Sequence, residues 1–565
     1  MKKLLLLSAA LLTTASAMAA TWGTTLNDPT AMYPAGTNQY GNHLCVCPDG
    51  SVWSVIYHPN TEAAEDETDV ENVVYEWRVQ HWDKDGNPSF PPEGLLVSNY
   101  KNKSYTVVSD HIISDSEGNA ILAVSDRRNS NDAAESYTAY RITPEGKMLW
   151  GDEGKALSDA TKPASLLAHL QLVALEDDSF VFAWVEFDET SASSVKLQRL
   201  NKDGEKQWNE SKVSLLDDQC SYPYLVSTGD NTCILVYSRG SSQVIYARKL
   251  DFEGENVWGK DLRIYRGGFG STPLHTMLNV GASGDGGAIV YWHDDRAMTD
   301  IESPYLSYIT PDGKLGFAGA SDEGDVKLGY DGMRCFNVDA VPSSDGSCFY
   351  AVWRETTANQ NLQGVSIQKV SKSGELLWDE NGVVVVPLED PSTGYISIQT
   401  AADNQAMVFY ELYKSWDEQL SYATLYDADG KAVWENPLQI SRSGRQASGL
   451  ESFPINNDAW YFMYTDVVKE GEEASVSTEI IGRLNLDGTF GMPTGGVESV
   501  SADASVIAFD GKILYAQGKQ VDVYTTAGTH VGCFALVDGQ VSVDLPAGLY
   551  VADVDGRTAI KLAVK

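Results

Sequence analysis

The feature that most constrains the fold is a hairpin that recurs eight times, at intervals of about 50 to 60 residues. Each copy has an extended segment, a turn that ends in glycine, and an aromatic residue four positions later in all copies but the last. The turn glycines are Gly86, Gly146, Gly204, Gly254, Gly313, Gly374, Gly430 and Gly488. The residues four positions later are Phe90, Trp150, Trp208, Trp258, Phe317, Trp378, Trp434 and, in the eighth copy, Met492. Such a period is typical of folds built from one small unit.

Each repeat predicts four short strands. Within residues 222–265, four extended stretches follow one another and are separated by turns rich in glycine and acidic residues. The same order recurs along the chain from residue 42 to residue 449 and beyond, and no segment has a sustained helical period. Eight consecutive four-stranded units predict an all-β fold, with an eight-bladed β-propeller over residues 20–497.

The repeated residues have a packing role in this interpretation. Glycine in the turn accepts the positive φ that a tight hairpin needs, and the following ring lies on the outermost strand, facing the neighbouring blade. The Gly-x-x-x-Trp step resembles the tryptophan-docking pattern of quinoprotein-type propellers. The blade rhythm is also similar to that of bacterial exoproteins with Asp-Gly-x-x-x-Trp repeats. Both resemblances imply that these rings join blades; stacking on a ligand is the alternative.

The one irregular copy indicates how the ring of blades closes. Trp22-Gly23 repeats the Trp150-Gly151 and Trp258-Gly259 steps, whereas the eighth copy has no aromatic residue at position 492. We therefore predict that residues 21–30 supply the outer strand of the last blade, with Trp22 as its packing ring. Closure of this kind removes a free sheet edge.

Residues 1–19 have the features of a signal peptide. Lys2 and Lys3 precede an apolar stretch at 4–12, and Ala17-Met18-Ala19 has the small-residue pattern that signal peptidases accept. The apolar stretch is shorter than the roughly 20 residues of a membrane-spanning helix, and no later segment is long and apolar enough. The sequence thus predicts an exported protein, extracellular or at the outer-membrane surface, without a transmembrane segment.

Residues 498–565 predict a second domain of short strands. Its most specific parts are Leu-Pro-Ala-Gly-Leu-Tyr-Val at 545–551 and Lys-Leu-Ala-Val-Lys at 561–565. This segment resembles the type A C-terminal sorting domain of the type IX secretion system of Bacteroidetes. The resemblance implies a small Ig-like β-sandwich that takes the protein across the outer membrane through that machinery. In a host without it, the module would be a β-sandwich appendage.

The charge of the chain excludes one class of partner. The formal net charge is -38 at pH 7, so the surface repels phosphate backbones and anionic lipid. No nucleic-acid partner is predicted, and a monomer is expected.

The seven cysteines leave two interpretations open. Cys220 and Cys233 have the same spacing as Cys335 and Cys348, and disulfides are permitted in an exported protein. Neither pair lies in cross-strand register about its turn, which favours buried thiols.

The candidate functional surface is the face of the propeller whose loops differ from blade to blade. Loops between second and third strands share one face with the loops between blades. Charged groups recur there, and aromatic residues follow in the interblade loops: Tyr100, Tyr105, Tyr222, Tyr265, Phe269, His275 and Tyr395. A glycan or a protein would suit this surface, whereas structural Asp-Arg pairs are the alternative. The predicted ligand-binding residues are Arg127, Arg128, His293, Asp294, Asp295, Arg296, Arg354 and Glu355.

A glycan-active hydrolase or lyase is the runner-up to a binding protein. The conceivable acids are Glu186, Asp294, Asp295, Glu355 and Glu411, and cleavage would need two of them to converge. No vicinal cysteine pair, Gly-x-Ser-x-Gly elbow or tight histidine spacing occurs. We therefore predict no catalytic residue, cofactor or metal.

Overall fold

The computed structural model describes most of the chain outside its first 21 residues. The described residues are 22–27, 29–32, 43–60, 74–102, 110–126, 128, 136–158, 166–188, 190–209, 219–241, 243–266, 278–296, 301–389, 392–415, 417–469, 475–492, 508–509, 513–515, 519–525, 530–537, 540–543, 545–546, 548–554 and 558–564. The chain divides into two compact units, Met1–Met492 and Pro493–Lys565. The predicted signal peptide and the predicted boundary at residue 498 lie outside the described residues.

The first unit is an eight-bladed β-propeller with antiparallel blades, and one parallel pair, Gln419 with Gln446, joins blades seven and eight into one sheet. Blade one contains Leu44–Val46, Val52–Asn60, Val74–Trp82 and Leu95–Asn102. Blade two contains Asp110–Ser114, Ala120–Asp126, Ser136–Ile142 and Lys155–Ala156. Blade three contains Leu166–Ala174, Phe180–Phe187 and Ser193–Leu200. Blade four contains Cys220–Ser227, Cys233–Arg239, Val244–Leu250 and Leu262–Tyr265.

The second half of the ring repeats this order of strands. Blade five contains Asn279–Ala282, Ala288–Asp294, Ser303–Ile309 and Asp325–Lys327. Blade six contains Arg334–Pro342, Cys348–Thr356, Gln363–Ser371 and Val383–Glu389. Blade seven contains Thr393–Ala401, Gln405–Ser415, Glu418–Tyr426 and Leu438–Gln439, with a 3-10 turn at Ala402–Asn404. Blade eight contains Gln446–Asn456, Ala459–Lys469 and Ser475–Asn485, completed by Thr30–Ala31.

The ring is closed by both the inner strands and the N-terminal segment. Each first strand contacts the first strand of the next blade, and that of blade eight contacts that of blade one. Thr30 and Ala31 pair antiparallel with Ile481 and Ile480 on the third strand of blade eight. The predicted closure by the N-terminal segment is therefore confirmed, with Thr30 at the end of the predicted range and Ala31 one residue beyond it.

The eight repeated turns have one geometry. In every copy the glycine N–H donates to the carbonyl three residues earlier, as from Gly86 to Asp83 at 2.9 Å and from Gly313 to Thr310 at 2.9 Å. The φ angles of these eight glycines lie between 76° and 89°. This left-handed conformation is strained for residues with a side chain, which explains why glycine recurs at the position.

Each turn glycine receives an aromatic side chain from the preceding blade. A Cβ added to the glycine would lie 2.5 to 3.6 Å from Trp22, Phe90, Trp150, Trp208, Trp258, Phe317, Trp378 or Trp434 in turn. Most of the indoles also donate Nε1–H to the carbonyl two residues before that glycine, as Trp22 does to Lys84 at 2.9 Å and Trp150 to Lys202 at 3.0 Å. Trp22 serves Gly86 of blade one, so the ring needs no aromatic residue at Met492.

The apolar core is a series of interfaces between adjacent blades. Second strands are buried on both faces, as in Ala120–Asp126 and Ala288–Asp294. One cluster joins blades four and five through Val236 and Trp292, and another joins blades eight and one through Trp22, Ile56 and Tyr461. Because every sheet is covered on two sides, its second strand is a nearly continuous apolar run.

The second unit is a small β-sandwich. One sheet contains Ala508–Phe509, Ile513–Tyr515 and Gln540–Ser542, and the other contains Gln520–Thr525, His530–Ala535, Gly548–Val554 and Thr558–Val564. Leu514 from the first sheet and Val521, Val523 and Ala552 from the second share one buried cluster.

The cysteines are free thiols. Cys47, Cys220, Cys233, Cys335 and Cys348 are buried. Cys220 pairs with Arg239 and Cys233 with Leu250 at the two ends of one hairpin, so the thiol interpretation is confirmed for this pair. The described part of the chain contains no helix with the length and apolar character that crossing a bilayer requires.

Candidate functional site

The candidate site is the face where each first strand begins and each second strand ends, which we call the mouth of the ring. Five first strands carry a register shift near their start, against the second strand of the same blade. The shifts lie between Ala168 and Gln171, Ser221 and Tyr224, Cys335 and Asn337, Thr393 and Ile396, and Ser448 and Glu451. β-Bulges of this kind redirect side chains and are frequent beside functional sites.

Four of these bulges present a ring, and we call His169, Tyr222, Phe336 and Tyr395 the aromatic crescent. His169 and Tyr222 both have a φ of 52°, and their ring centroids are 4.4 Å apart. A left-handed conformation at two bulky residues costs free energy that the surrounding strands must offset. The bulges thus hold a ring in each of two adjacent blades at the same end of the first strands. His169 is exposed, and partial burial lowers the pKa of its imidazole.

The other end of the crescent contains Arg354. Its guanidinium lies 5.2 Å from the centre of the Phe336 ring, and Nη1 donates to the carbonyls of Thr393 at 3.0 Å and Gly394 at 3.3 Å. Tyr395 is 55% exposed and Tyr413 is 41% exposed. Both tyrosines lie close enough to Arg354 to affect the pKa of its guanidinium.

Arg128 forms a closed ion pair. Its Nη2 lies 2.5 Å from Oδ2 of Asp126, whose side chain is fully buried, and its Nε donates to both carboxylate oxygens. The same guanidinium donates to the Tyr140 hydroxyl and the Glu153 carbonyl. Arg128 therefore forms a structural ion pair within blade two, which is the alternative to ligand binding at this position.

Arg296 is held in the same way in blade five. It bonds to Asp294 at 2.8 Å and to Asp325 at 2.7 Å. The guanidinium also lies 3.6 Å from the centre of the Tyr305 ring and 4.7 Å from that of Tyr265. Tyr265 is buried by this packing. Both carboxylates and both aromatic faces are thus occupied by protein groups.

Most of the conceivable acids have hydrogen-bond partners in their own blade or the next one. Glu186, Asp294 and Glu355 each accept Nε1–H from a tryptophan two residues earlier on the same strand, at 2.9, 2.8 and 3.1 Å. Glu411 is fully buried and accepts the backbone N–H groups of Tyr395 and Leu450 at 3.0 and 2.8 Å. Burial raises the pKa of both Glu355 and Glu411. Asp295 also has interactions of its own.

His293 is a buried polar group without a hydrogen-bond partner. Its side chain is fully buried, and neither ring nitrogen is bonded to a described residue. Burial, with a smaller effect from Arg354, lowers the pKa of His293 to about 4. The imidazole is therefore neutral at pH 7 and adds no cation beside Arg354.

A second titratable cluster lies between blades eight, one and two. Nδ1 of His43 is 2.7 Å from Oδ2 of the buried Asp110, which raises the pKa of His43 to about 9. Glu451 faces this pair from the first strand of blade eight, and desolvation by the surrounding protein raises its pKa. Burial lowers the pKa of His111 to about 4.

The structure separates the predicted site residues. Arg128, Asp294 and Arg296 lie in blade-internal ion pairs, whereas Arg354 lies beside the crescent. Ligand binding by the predicted set stays a prediction. Arg127, Tyr105, Phe269, His275 and the side chain of Tyr100 are outside the described residues. Sequence reasoning missed His43, Asp110, His169 and Phe336, because strand register and contacts between blades decide where these side chains lie.

Among the described residues, no group of three or more His, Cys, Asp or Glu side chains is arranged to hold a metal ion.

No family model and no curated protein matches the chain. Among solved structures, it is similar to a PL25 ulvan lyase, at 10% identity and a TM-score of 0.40 over 82% of this chain and 97% of the other. It is similar to the polysaccharide lyase Uly1, at 10% identity and a TM-score of 0.39 over 83% and 92%. The Dos1 propeller is 9% identical, with a TM-score of 0.38 over 81% and 95%. Likeness at this level assigns no activity to this chain.

Proposed function

We propose that the protein is an exported β-propeller that binds a glycan at its mouth, with sugar rings stacked on the aromatic crescent. The observation that carries the proposal is the set of bulges that present His169, Tyr222, Phe336 and Tyr395 at one end of the first strands. Exposed aromatic faces next to a few polar groups are the usual composition of a small-molecule site. A protein ligand is the other outcome of the test below.

The partners of the acidic residues at the mouth support glycan binding rather than glycan cleavage. Hydrolysis of a glycosidic bond usually needs two free carboxyl groups that flank the bond. Asp294 is paired with Arg296, and Glu411 is fully buried with three hydrogen bonds, including one from Gln419 at 2.8 Å. Neither group is free to contact a sugar without losing these partners.

A panel of immobilised oligosaccharides, neutral and acidic, tests this proposal with the purified protein. Tyr395→Ala removes an exposed ring of the crescent, and we expect at least tenfold weaker glycan binding with little change in melting temperature. Val257→Ala is the control, since Val257 is 55% exposed and lies on the outer circumference. Absence of binding to every glycan, or equal binding by Tyr395→Ala, contradicts the proposal, and capture of a protein instead would replace it.

A second candidate function is a glycan-active enzyme, hydrolase or lyase, which the His43 cluster favours. A carboxyl of raised pKa beside an imidazolium has the composition of an acid-base pair, and Glu451 faces His43 in this way. The measurement is release of reducing or unsaturated ends from polysaccharides. Turnover that Glu451→Gln abolishes, while folding is retained, would support the enzyme; absence of turnover on substrates that bind would support binding alone.

The C-terminal unit is proposed to be a type IX sorting domain. The resemblance at 545–551 and 561–565 supports this role, and Thr558–Val564 forms an edge strand of its sheet. Removal of residues 498–565 should leave the protein in the periplasm of a Bacteroidetes host, as measured by cell fractionation. Normal appearance outside the cell after this deletion contradicts the proposal.

A further inference from the structure

We propose that Arg354 binds an acidic group of the glycan, a carboxylate or a sulfate, and so makes the mouth selective for anionic over neutral chains. This inference rests on the proposed glycan-binding function and names the class of glycan. It starts from a difference among the arginines of the ring rather than from the overall charge.

Most arginines of the ring have a carboxylate partner. Among the described residues, Arg78, Arg128, Arg141, Arg199, Arg248, Arg266, Arg296, Arg334, Arg442 and Arg445 each lie within ion-pair distance of Asp or Glu. Arg354 has no such partner among the described residues, and it shares this property with Arg239, Arg263 and Arg483. Its bonded groups are two neutral carbonyls, and its Nε is buried without a hydrogen-bond partner.

The surroundings of Arg354 make the lack of a carboxylate partner costly. Burial lowers the pKa of Arg354, which shows that the site disfavours the cation that it contains. Glu411 is close enough to affect the pKa of Arg354, but its carboxylate already accepts hydrogen bonds from three other groups. A partly desolvated cation without a counterion is unfavourable unless an anion completes it.

The geometry matches an anion that presents two oxygens side by side. A guanidinium presents its N–H groups in a fixed fork that pairs with two oxygens of a carboxylate or sulfate. One side of the Arg354 guanidinium is fixed by the Thr393 and Gly394 carbonyls, and its face packs on Phe336. The orientation of the remaining N–H groups is thus set before a ligand arrives. Tyr395 and Tyr413, both exposed, lie next to the place where the sugar ring of that acid would stack.

The position of the bulge supports the same site. Gly394 lies so close to Glu411 that an added Cβ would be 2.2 Å from its Oε2. The carboxylate therefore holds the bulge in place, and the bulge in turn directs the Gly394 carbonyl to Arg354. Glu411 acts here as a positioning residue for Arg354 and Tyr395.

The test compares three oligosaccharide probes by isothermal titration calorimetry with the full chain. The probes are oligogalacturonate, its methyl ester, in which the same sugars are uncharged, and a sulfated galactan oligosaccharide. We expect the better of the two anionic probes to bind at least tenfold more tightly than the methyl ester. Arg354→Met should reduce this ratio to less than threefold, while binding of the methyl ester stays within threefold.

Two further variants keep the test decisive. Arg354→Lys retains the charge without the fork and should keep only part of the preference for the acid, which also covers the case in which Arg354→Met fails to fold. Arg263→Met removes an exposed arginine from the outermost strand of blade four and should change no ratio.

The outcomes separately test the role of Arg354, the kind of acidic group and glycan binding itself. Equal binding of acid and ester, or an unchanged ratio in Arg354→Met, overturns the role of Arg354 and leaves glycan binding intact. A preference for oligogalacturonate identifies a carboxylate ligand, and a preference for the galactan identifies a sulfate. Binding of none of the three probes, together with an empty oligosaccharide panel, would overturn the proposed function itself.

Discussion

The outer circumference of the ring and its mouth follow different rules. At the circumference, every blade repeats one contact: an aromatic residue of the preceding blade lies against the turn glycine. At the mouth, neighbouring blades differ: Arg128 and Arg296 close onto carboxylates, Arg354 does not, and the bulged residues change from His169 to Tyr222 to Phe336 to Tyr395.

The difference shows which kind of constraint acts on each region. All eight blade interfaces need the same packing, so the residues that provide it recur with the period of the repeat. A ligand contacts only some blades, so residues that bind it do not have to recur. Four experiments test whether the two regions separate in this way, given from the largest expected effect to the smallest.

The largest effect is expected from Trp22→Ala. Trp22 is fully buried, packs on Tyr461 at 4.9 Å and donates to the Lys84 carbonyl. Loss of a buried tryptophan should lower the free energy of unfolding by about 3 to 5 kcal/mol. Urea unfolding followed by tryptophan fluorescence, with exposed Val257→Ala as the matched control, measures it. A loss below about 1 kcal/mol would show that closure does not depend on this ring.

The ion pairs at the mouth should behave like the circumference. Asp294→Asn removes the buried carboxylate that accepts from Trp292 and Arg296, and leaves the guanidinium facing only Asp325. We expect a loss of about 3 kcal/mol, because breaking a buried pair leaves a charge uncompensated. Thermal unfolding monitored by circular dichroism is the measurement. If stability were unchanged and glycan binding fell, this pair would belong to the ligand site and the proposed division of the mouth would be wrong.

Two glycines with similar φ angles allow the cost of backbone strain to be measured apart from the cost of contact with a ring. Gly313 has a φ of 76° and would place a Cβ 2.5 Å from Trp258, whereas Gly118 has a φ of 81° and nothing within 4 Å. Gly118→Ala should cost about 1 to 2 kcal/mol from the left-handed conformation alone. Gly313→Ala should cost more than Gly118→Ala in parallel denaturant titrations. Equal losses would mean that the ring adds nothing to the need for glycine.

The smallest effect is expected at His43, whose side chain is half-exposed. Asp110 raises its pKa from 6.5 to about 9, so the folded state binds the proton more tightly than the unfolded chain. The contribution to stability is therefore complete below about pH 6.5 and is lost as the pH rises through about 9. The difference in melting temperature between the unmodified protein and His43→Gln should shrink across this window. A difference that grows with pH would contradict the assignment.

Much of the circumference could be predicted from the sequence. Gly86 and its seven counterparts identify the turns, the ring residues recur at a fixed distance, and Trp22 stands where Met492 breaks the pattern. These features are local, because φ at a glycine and the face of a ring on a strand depend on residues within one hairpin.

The mouth could be predicted only in part. The Asp126-Arg128 and Asp294-Arg296 pairs each join residues two positions apart. Because the partners are this close in the sequence, structural ion pairs could be considered at these positions without a structure. The partners of Arg354 come from the next blade, at Thr393 and Gly394, and no local pattern connects them. The same holds for His43 and Asp110, which lie 67 residues apart.

The sequence by itself determined the number of blades, the turn geometry, the packing rings and the closing segment, because each repeats or completes a pattern with short-range causes. Tertiary structure alone decided which arginines lack a carboxylate and which first strands bulge. Whether a charge is paired depends on how closely another blade approaches it, and a bulge depends on the register of two strands; both are settled only when the blades pack.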